Sequence, residues 1–438
     1  MAYFKRDIEV ELNKWKNDPD RQPLIIRGAR QVGKSSLVRQ FGKQFRYFIE
    51  INLEQDVEVQ KIFENSLRPK VICEQLSVFY NTPIVVGETL LFIDEIQNCL
   101  PAISVLRYFY EQYQDLHVIA AGSLLEFALS DLPSFGVGRV ASMYLYPFSF
   151  GEFLSAANEN LLRQAIESAS PLLPLVDPIH KKALELYKKY ILLGGMPKVV
   201  SAYMTDTDLL KCQRILDNLI EGYEDDFAKY KKTAVPHIIR QVFKSVSEQN
   251  GQKFVYSKAM PDTSHFQIKQ ALELLTMAGL IVPVTHTSAN GIPLGAEVNP
   301  KMRKFLIFDS GIFQRLHGLD LSDILLADDF SSVNKGAIAE LNVGLDLIKS
   351  ASPYQRYELY YWHREAKSSN AEVDYIIQKG RDIIPIEVKS GFKGSMQSMF
   401  LFMEEKKIMR GIRVSQENFS TVNNIDIYPL YATFKIAR

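Results

Sequence analysis

The chain has 438 residues, enough for about three domains of ordinary size, and its 51 basic residues are matched by 51 acidic ones. A balanced charge excludes bulk electrostatic attraction to nucleic acid or to a membrane surface, so any such partner has to be met by a local patch. Three cysteines form no C-x-x-C pair, the apolar stretch 118–129 is short and broken by Glu126, and the N-terminus lacks signal character; these features predict a cytoplasmic protein without a transmembrane segment.

Apolar groups at Phe4, Ile8, Leu12 and Trp15 have helical spacing and predict a packing helix over residues 3–16. The Asp18-Pro19-Asp20 turn ends it. The short apolar run Leu24-Ile25-Ile26-Arg27 then feeds Gly28-Ala29-Arg30-Gln31-Val32-Gly33-Lys34-Ser35-Ser36. Gly28, Gly33, Lys34 and Ser35 meet the pattern G-x-x-x-x-G-K-[ST], with a strand before it and a helix after it. Glycines let successive N–H groups point inward, and the helix start adds its positive dipole end, so the loop predicts a nest for phosphates. Lys34 then supplies a charge to the β- and γ-phosphates, and the Ser35 hydroxyl a ligand for Mg²⁺.

A strand is predicted over Tyr47 to Leu53, and a buried one within Glu88 to Gln97, where four apolar residues run into two carboxylates, Asp94 and Glu95. Parallel strands present their ligands at such C-terminal edges. About sixty residues after a phosphate loop, Asp94 is expected to hold Mg²⁺ and Glu95 to polarise the attacking water. A further strand, Leu116 to Ser123, ends in a hydroxyl. Ser123 either senses the γ-phosphate or aligns the water, and it equally suits the N-cap of a helix starting at Leu124. Arg139, in Gly136-Val137-Gly138-Arg139, is a candidate charge stabiliser for the transition state, in its own subunit or in a neighbour's.

The loop Gly28 to Ser35, the strand Phe92-Ile93-Asp94-Glu95-Ile96-Gln97, the Gly122-Ser123 strand end, Pro147 to Phe153 and Tyr190-Ile191-Leu192-Leu193-Gly194-Gly195-Met196-Pro197 resemble the AAA-type prokaryotic ATPases that carry a DUF4143 C-terminal region. The resemblance covers nearly the whole chain. It implies a P-loop ATPase core, a helical lid, a winged-helix-like segment and a C-terminal nuclease-like fold, with ATP and Mg²⁺ as cofactors.

From Gly151 to Tyr230 the apolar spacing is helical, divided by Pro171, Pro174 and Pro178, which predicts either a lid that reports the nucleotide state or a plain helical bundle. Residues 231–300 read as a helix over Ile238 to Val246, a short strand Phe254-Val255-Tyr256, a helix opened by Ser264, and a wing from Leu280 to Val284 with a turn at Asn290-Gly291. That order resembles a winged helix. Seven basic residues against four acidic ones give a mild positive excess, compatible with DNA at His265 to Lys269 or with a segment that only holds a partner or neighbouring domains together; a homo-oligomer or a protein partner is an expectation for the chain as a whole.

Beyond residue 300 a strand over Lys304 to Asp309, an amphipathic helix over Lys335 to Ile348 bearing Glu340, and three strands of a meander are predicted, the last being Ile383 to Lys389. Asp374 followed by Glu387-Val388-Lys389 resembles the D…E-x-K signature of restriction-endonuclease-like nucleases. The resemblance implies Mg²⁺ on Asp374, Glu387 and the carbonyl between Glu387 and Lys389, a lysine that orients or deprotonates the attacking water, and Glu340 as a helix-borne acid.

The expected fold is thus α/β: a P-loop NTPase core (1–150), a helical lid (151–230), a winged-helix-like middle (231–300) and a PD-(D/E)xK nuclease-like C-terminal domain (301–438). The expected activity is Mg-dependent ATP hydrolysis. It is coupled to cleavage or binding of DNA or RNA, or else it works as a nucleotide-state switch for a protein or nucleic-acid partner.

Overall fold

The computed structural model describes residues 3–123, 125–130, 138–230, 234–321, 335–364, 370–391 and 394–437. The chain divides into two compact units, Met1–Tyr146 with Pro353–Arg356, and Pro147–Ser352 with Tyr357–Arg438.

The first unit is built on five strands: β1 (Leu24–Arg27), β2 (Tyr47–Asn52), β3 (Thr89–Asp94), β4 (His117–Ala121) and β5 (Ala141–Tyr144). All pairings are parallel and the spatial order is β2-β3-β4-β1-β5. Parallel strands must be covered on both faces, which is why β1, β3 and β4 read as unbroken apolar runs. Ile25, Leu91, Ile93, Val118 and Ala120 pack one face with Phe63, Ile72, Leu76, Val105 and Phe109 from the covering helices. Each of these Ile, Leu, Val and Phe side chains contributes about 1.5–3 kcal/mol by leaving water. Pro69 and Pro101 sit at the first positions of their helices, where a missing N–H costs nothing. The N-terminal helix runs Glu9–Asn17 and so begins later than expected, with Trp15 edge-on to His117 at 5.7 Å.

The second unit carries a mixed eight-stranded sheet of order β12-β13-β11-β10-β9-β8-β6-β7. Its strands are β6 (Ile281–Thr287), β7 (Val298–Ile307), β8 (Leu359–His363), β9 (Glu372–Lys379), β10 (Asp382–Val388), β11 (Gly411–Ser415), β12 (Ser420–Val422) and β13 (Ile425–Pro429). The three-strand meander is present: β8, β9 and β10 pair antiparallel, and β11 then joins β10 in parallel after helix Gln397–Lys406.

Two expectations for the middle change here. Phe254-Val255-Tyr256 is no strand: Phe254 donates one hydrogen bond to the Arg303 carbonyl (2.9 Å), and a short helix Tyr256–Ala259 follows at once. The expected wing is the β6–β7 hairpin, but β6 also pairs in parallel with β8, Val284 opposite Leu359. The hairpin is therefore the edge of the large sheet, and β7 runs straight through the boundary drawn at residue 300. The helices between Phe150 and Asp226 belong to the same compact unit. They are tied to its C-terminal end by Lys435, whose ammonium donates to the Ile166 carbonyl (3.0 Å), and by His180 against the Tyr431 hydroxyl (2.9 Å).

The two glycine-rich signatures have a structural cause. Ser149 and Glu152 form a reciprocal capping box that starts helix Phe150–Ala156. Gly194, at φ +74°, would place a Cβ 2.1 Å from Asp309 Oδ1, and one on Gly195 would fall 2.3 Å from the Phe148 carbonyl oxygen. The Asp309 carboxylate in turn accepts from the Gly195, Gly311 and Ile312 amides at 2.7–3.2 Å. Two bare backbones and one carboxylate fill this crossing. Among the described residues no helix is long and apolar enough to cross a membrane.

Candidate functional site

Strand β1 ends in the loop Gly28–Gly33, and helix Lys34–Gly42 begins immediately after it. Glycine is required at the first position: φ is +147° there and a Cβ would lie 2.2 Å from the Leu145 carbonyl oxygen. Gln31 and Gly33 also take positive φ, 66° and 98°, the alternation that turns consecutive amides inward. The first N–H groups of the following helix have no partner within it and point the same way.

The Lys34 ammonium donates to the Gly28 and Ala29 carbonyls at 2.9 and 2.8 Å, folded over its own loop. Burial pulls its pKa down to about 8, against the opposing pull of Glu95 and Asp94. Arg30 is close enough to add to the lowering. The next side chain, Ser35, donates its hydroxyl to Asp94 Oδ2 at 2.6 Å. Asp94 is 4 % exposed, and burial raises its carboxyl. Hydroxyl and carboxylate thus meet at the mouth of the loop, the donor pair that suits Mg²⁺ on a phosphate.

Glu95 follows in the left-handed region, φ 50°, a backbone state that costs a non-glycine residue about 1 kcal/mol or more. Its Oε2 accepts from Gln97 Nε2 at 2.6 Å and from the Ser123 hydroxyl at 3.4 Å. Ser123 reaches it because β4 lies between β1 and β3, so the end of β4 falls between the phosphate loop and the two acids. The sequence brought Lys34, Ser35, Asp94, Glu95 and Ser123 into view separately, and the sheet order brings them together.

Arg139 is not among them. Ala141 pairs with Leu24 at the start of β1, so Arg139, two residues earlier, lies at the opposite edge of the sheet, where it makes an ion pair with Glu111. In its own subunit it does not reach the phosphate loop. Residues 131–137, which include Gly136 and Val137, and residue 124 lie outside the described residues, so the helix N-cap reading of Ser123 does too. Arg6, passed over in the sequence, does reach the loop: its buried guanidinium donates to the Val32 carbonyl (3.1 Å) and to the Tyr146 carbonyl (2.7 Å). Only its position in front of the helix hinted at it.

The second unit gathers the C-terminal candidates. Asp374 Oδ2 accepts from the Val388 amide at 2.8 Å, joining β9 to β10, and Lys389 donates to Glu387 Oε1 at 2.6 Å. Glu387 is 6 % exposed, and its Oε2 is buried without a hydrogen-bond partner. Burial first, then Asp374, pushes its carboxyl up to about 7, and burial raises Asp374 as well. Such an orphaned carboxylate oxygen is satisfied by a proton or by a cation, so Asp374 and Glu387 fit a metal as far as they go.

Glu340 departs from its expected role. It projects from helix Lys335–Ser350, but its Oε1 accepts from Lys304 Nζ at 3.0 Å, and its Oε2 faces Gly251 so closely that a Cβ there would fall 2.7 Å away. Lys304, on β7, is fully buried and also pairs with Glu372 Oε1 at 2.5 Å. Burial alone would discharge this lysine, yet Glu340, Glu372 and Asp374 together hold it charged. Among the described residues no group of three or more His, Cys, Asp or Glu side chains converges to hold a metal.

Residues 20–154 match the family model described as AAA domain, residues 335–432 the domain of unknown function DUF4143, and residues 184–323 the domain of unknown function DUF8612. The last segment spans both positions 230 and 300. An uncharacterized protein of Haemophilus influenzae is 23 % identical over 387 residues, 83 % of this chain and 81 % of its own length. Among solved structures, a Walker-type ATPase of Pyrococcus abyssi is 17 % identical, with a TM-score of 0.46 over 72 % of this chain and 96 % of that one. A signal transduction ATPase with numerous domains from Pyrococcus horikoshii is 14 % identical, with a TM-score of 0.26 over 80 % of this chain and 46 % of that one.

Proposed function

We propose that this chain, which joins an AAA domain to a DUF4143 domain, binds and hydrolyses Mg-ATP at the end of its five-stranded sheet. The observation that carries this is the meeting of Ser35 with Asp94 at 2.6 Å, between Lys34 on one side and Glu95 on the other. Phosphates would replace the Gly28 and Ala29 carbonyls as partners of the Lys34 ammonium. Ser35 and Asp94 would hold Mg²⁺, which neutralises charge on the phosphate oxygens when bound. Glu95, steadied by Gln97 and Ser123, accepts a proton from the attacking water. Phosphate release measured with Mg-ATP, beside a Glu95→Gln control, tests the assignment: release unchanged in the control removes Glu95 from the chemistry. Arg139 can serve only if a second copy presents it, and turnover independent of protein concentration would leave it as a partner of Glu111.

For the second unit we propose ATP-linked, metal-dependent cleavage of a phosphodiester by Asp374, Glu387 and Lys389. The order helix, three antiparallel strands, helix, parallel strand supports this reading, as does the unpartnered Glu387 Oε2. The other reading, a nucleotide-state switch that binds a protein or nucleic acid without cutting, is favoured by the capture of Glu340 by Lys304. Incubation of supercoiled plasmid, single-stranded DNA and RNA with Mg²⁺ or Mn²⁺, with and without ATP, separates the two. Cutting that disappears in Glu387→Ala supports the nuclease. Intact substrates alongside active ATP hydrolysis support the switch.

A further inference from the structure

Four carboxylates, Glu340, Glu372, Asp374 and Glu387, and two lysines, Lys304 and Lys389, influence one another at the C-terminal cluster. They differ in what they have left to offer. The Lys304 ammonium holds one oxygen of Glu340, Oε1 at 3.0 Å, and one of Glu372, Oε1 at 2.5 Å. Asp374 keeps one oxygen free of the Val388 amide, and Glu387 keeps a buried oxygen with no partner. Lys304 has no exposed surface, and its ammonium lies 5.0 Å from the centre of the Tyr361 ring, so it cannot swing out to solvent.

We propose that Lys304 is a resident cation of this cluster, taking Glu340 and Glu372 out of ligand binding and leaving Asp374 and Glu387, beside Lys389, as a site for a single divalent ion. Asp374 and Glu387 then keep the oxygens that Lys304 does not hold, and hard carboxylate donors of this kind suit a divalent ion. The β6–β7 hairpin thereby has a task in the C-terminal site, because it alone supplies Lys304. The inference rests on the metal reading of Asp374 and Glu387, and the test separates the two.

The test is Mn²⁺ binding to the full chain without nucleotide, followed by electron paramagnetic resonance. Wild type is expected to bind one ion and Glu387→Gln none. Glu340→Gln keeps Lys304 on Glu372 and leaves the ligands Asp374 and Glu387 in place, so one Mn²⁺ ion should still bind, with an affinity within about tenfold of wild type; loss of the ion or a drop beyond tenfold makes Glu340 a ligand and overturns the proposal. Lys304→Met should gain a second ion. If that variant does not fold, Glu340→Gln still decides. One ion in wild type and unchanged binding in a folded Lys304→Met would refute the resident cation and keep the metal reading. No ion in wild type but one in Lys304→Met would refute the metal reading for the native protein and keep the resident cation. No ion in either refutes both.

Discussion

The phosphate loop and the C-terminal acid cluster both bury a lysine next to carboxylates, and they end with opposite surpluses. At the loop, Lys34 rests on two neutral carbonyls and burial pulls its pKa down to about 8; inward amides and a helix start surround it, a setting that favours an anion. At the cluster, Lys304 is held charged by its neighbours, and a carboxylate oxygen is left over; that site lacks a cation. A buried lysine is thus met by neutral carbonyls in the first unit and by carboxylates in the second. The sign is set by whether backbone N–H groups or carboxylates close the shell.

The largest test of this contrast is Lys34→Ala, which removes the loop's mobile charge. Mg-ATP affinity and hydrolysis should each fall by at least about 100-fold, with an unchanged circular dichroism spectrum. Equal binding of Mg-ATP by this variant would mean the loop is an ordinary turn. Glu95→Gln comes next: phosphate release should fall by about 10²–10⁴-fold, the range for a lost proton acceptor, while nucleotide affinity measured by fluorescence titration changes little.

The opposite surpluses also predict distinct pH dependences. Free Lys34 loses its proton near pH 8, and phosphates favour the charged form, so ATP affinity should weaken as pH rises above 8; Lys34→Arg should flatten that decline. In the second unit Asp346, on the helix that bears Glu340, is 1 % exposed with an orphaned Oδ2. Burial raises its carboxyl from 3.8 to about 7, against the pull of Lys349. Between those values the folded chain holds a proton that the unfolded chain has released, so this group's stabilisation is complete below about pH 4 and is lost as pH rises to about 7. Denaturant midpoints for Asp346→Asn should lack that loss; an identical pH slope in both proteins would show that Asp346 is charged throughout.

The smallest expected effect belongs to Gly122→Ala. A Cβ there would lie 2.2 Å from Gln97 Oε1, so Gln97 must shift away from Glu95. Turnover should drop severalfold and stability by about 1–3 kcal/mol. Turnover equal to wild type would mean that Gln97 does not position Glu95.

Much of the fold was legible because its signals are local. The apolar runs of β1, β3 and β4, the glycine and lysine spacing of the loop, the Ser264 cap and the three-strand meander each lie within a few consecutive residues, and the short-range physics of φ/ψ, capping and alternation acts there. Phe254-Val255-Tyr256 shows the limit. Its aromatic and β-branched composition favours a strand, but Phe254 packs edge-on to Phe305 at 5.5 Å, and the chain turns into a helix two residues later, at Tyr256.

The phosphate loop, the paired acids Asp94 and Glu95, and the D…E-x-K spacing could be read from consecutive residues, because in each run backbone geometry fixes how neighbouring side chains are presented. The remaining features came from contacts between distant segments. The strand order put Ser123 beside Glu95, parallel register sent Arg139 to the far edge of the sheet, and the pairing of β6 with β8 turned an expected wing into a sheet edge. That edge delivered Lys304 to Glu340, 36 positions away in sequence. The reason is physical: a buried charge is stable only with a partner, and which partner it finds depends on strand pairing between distant segments, which no local pattern records.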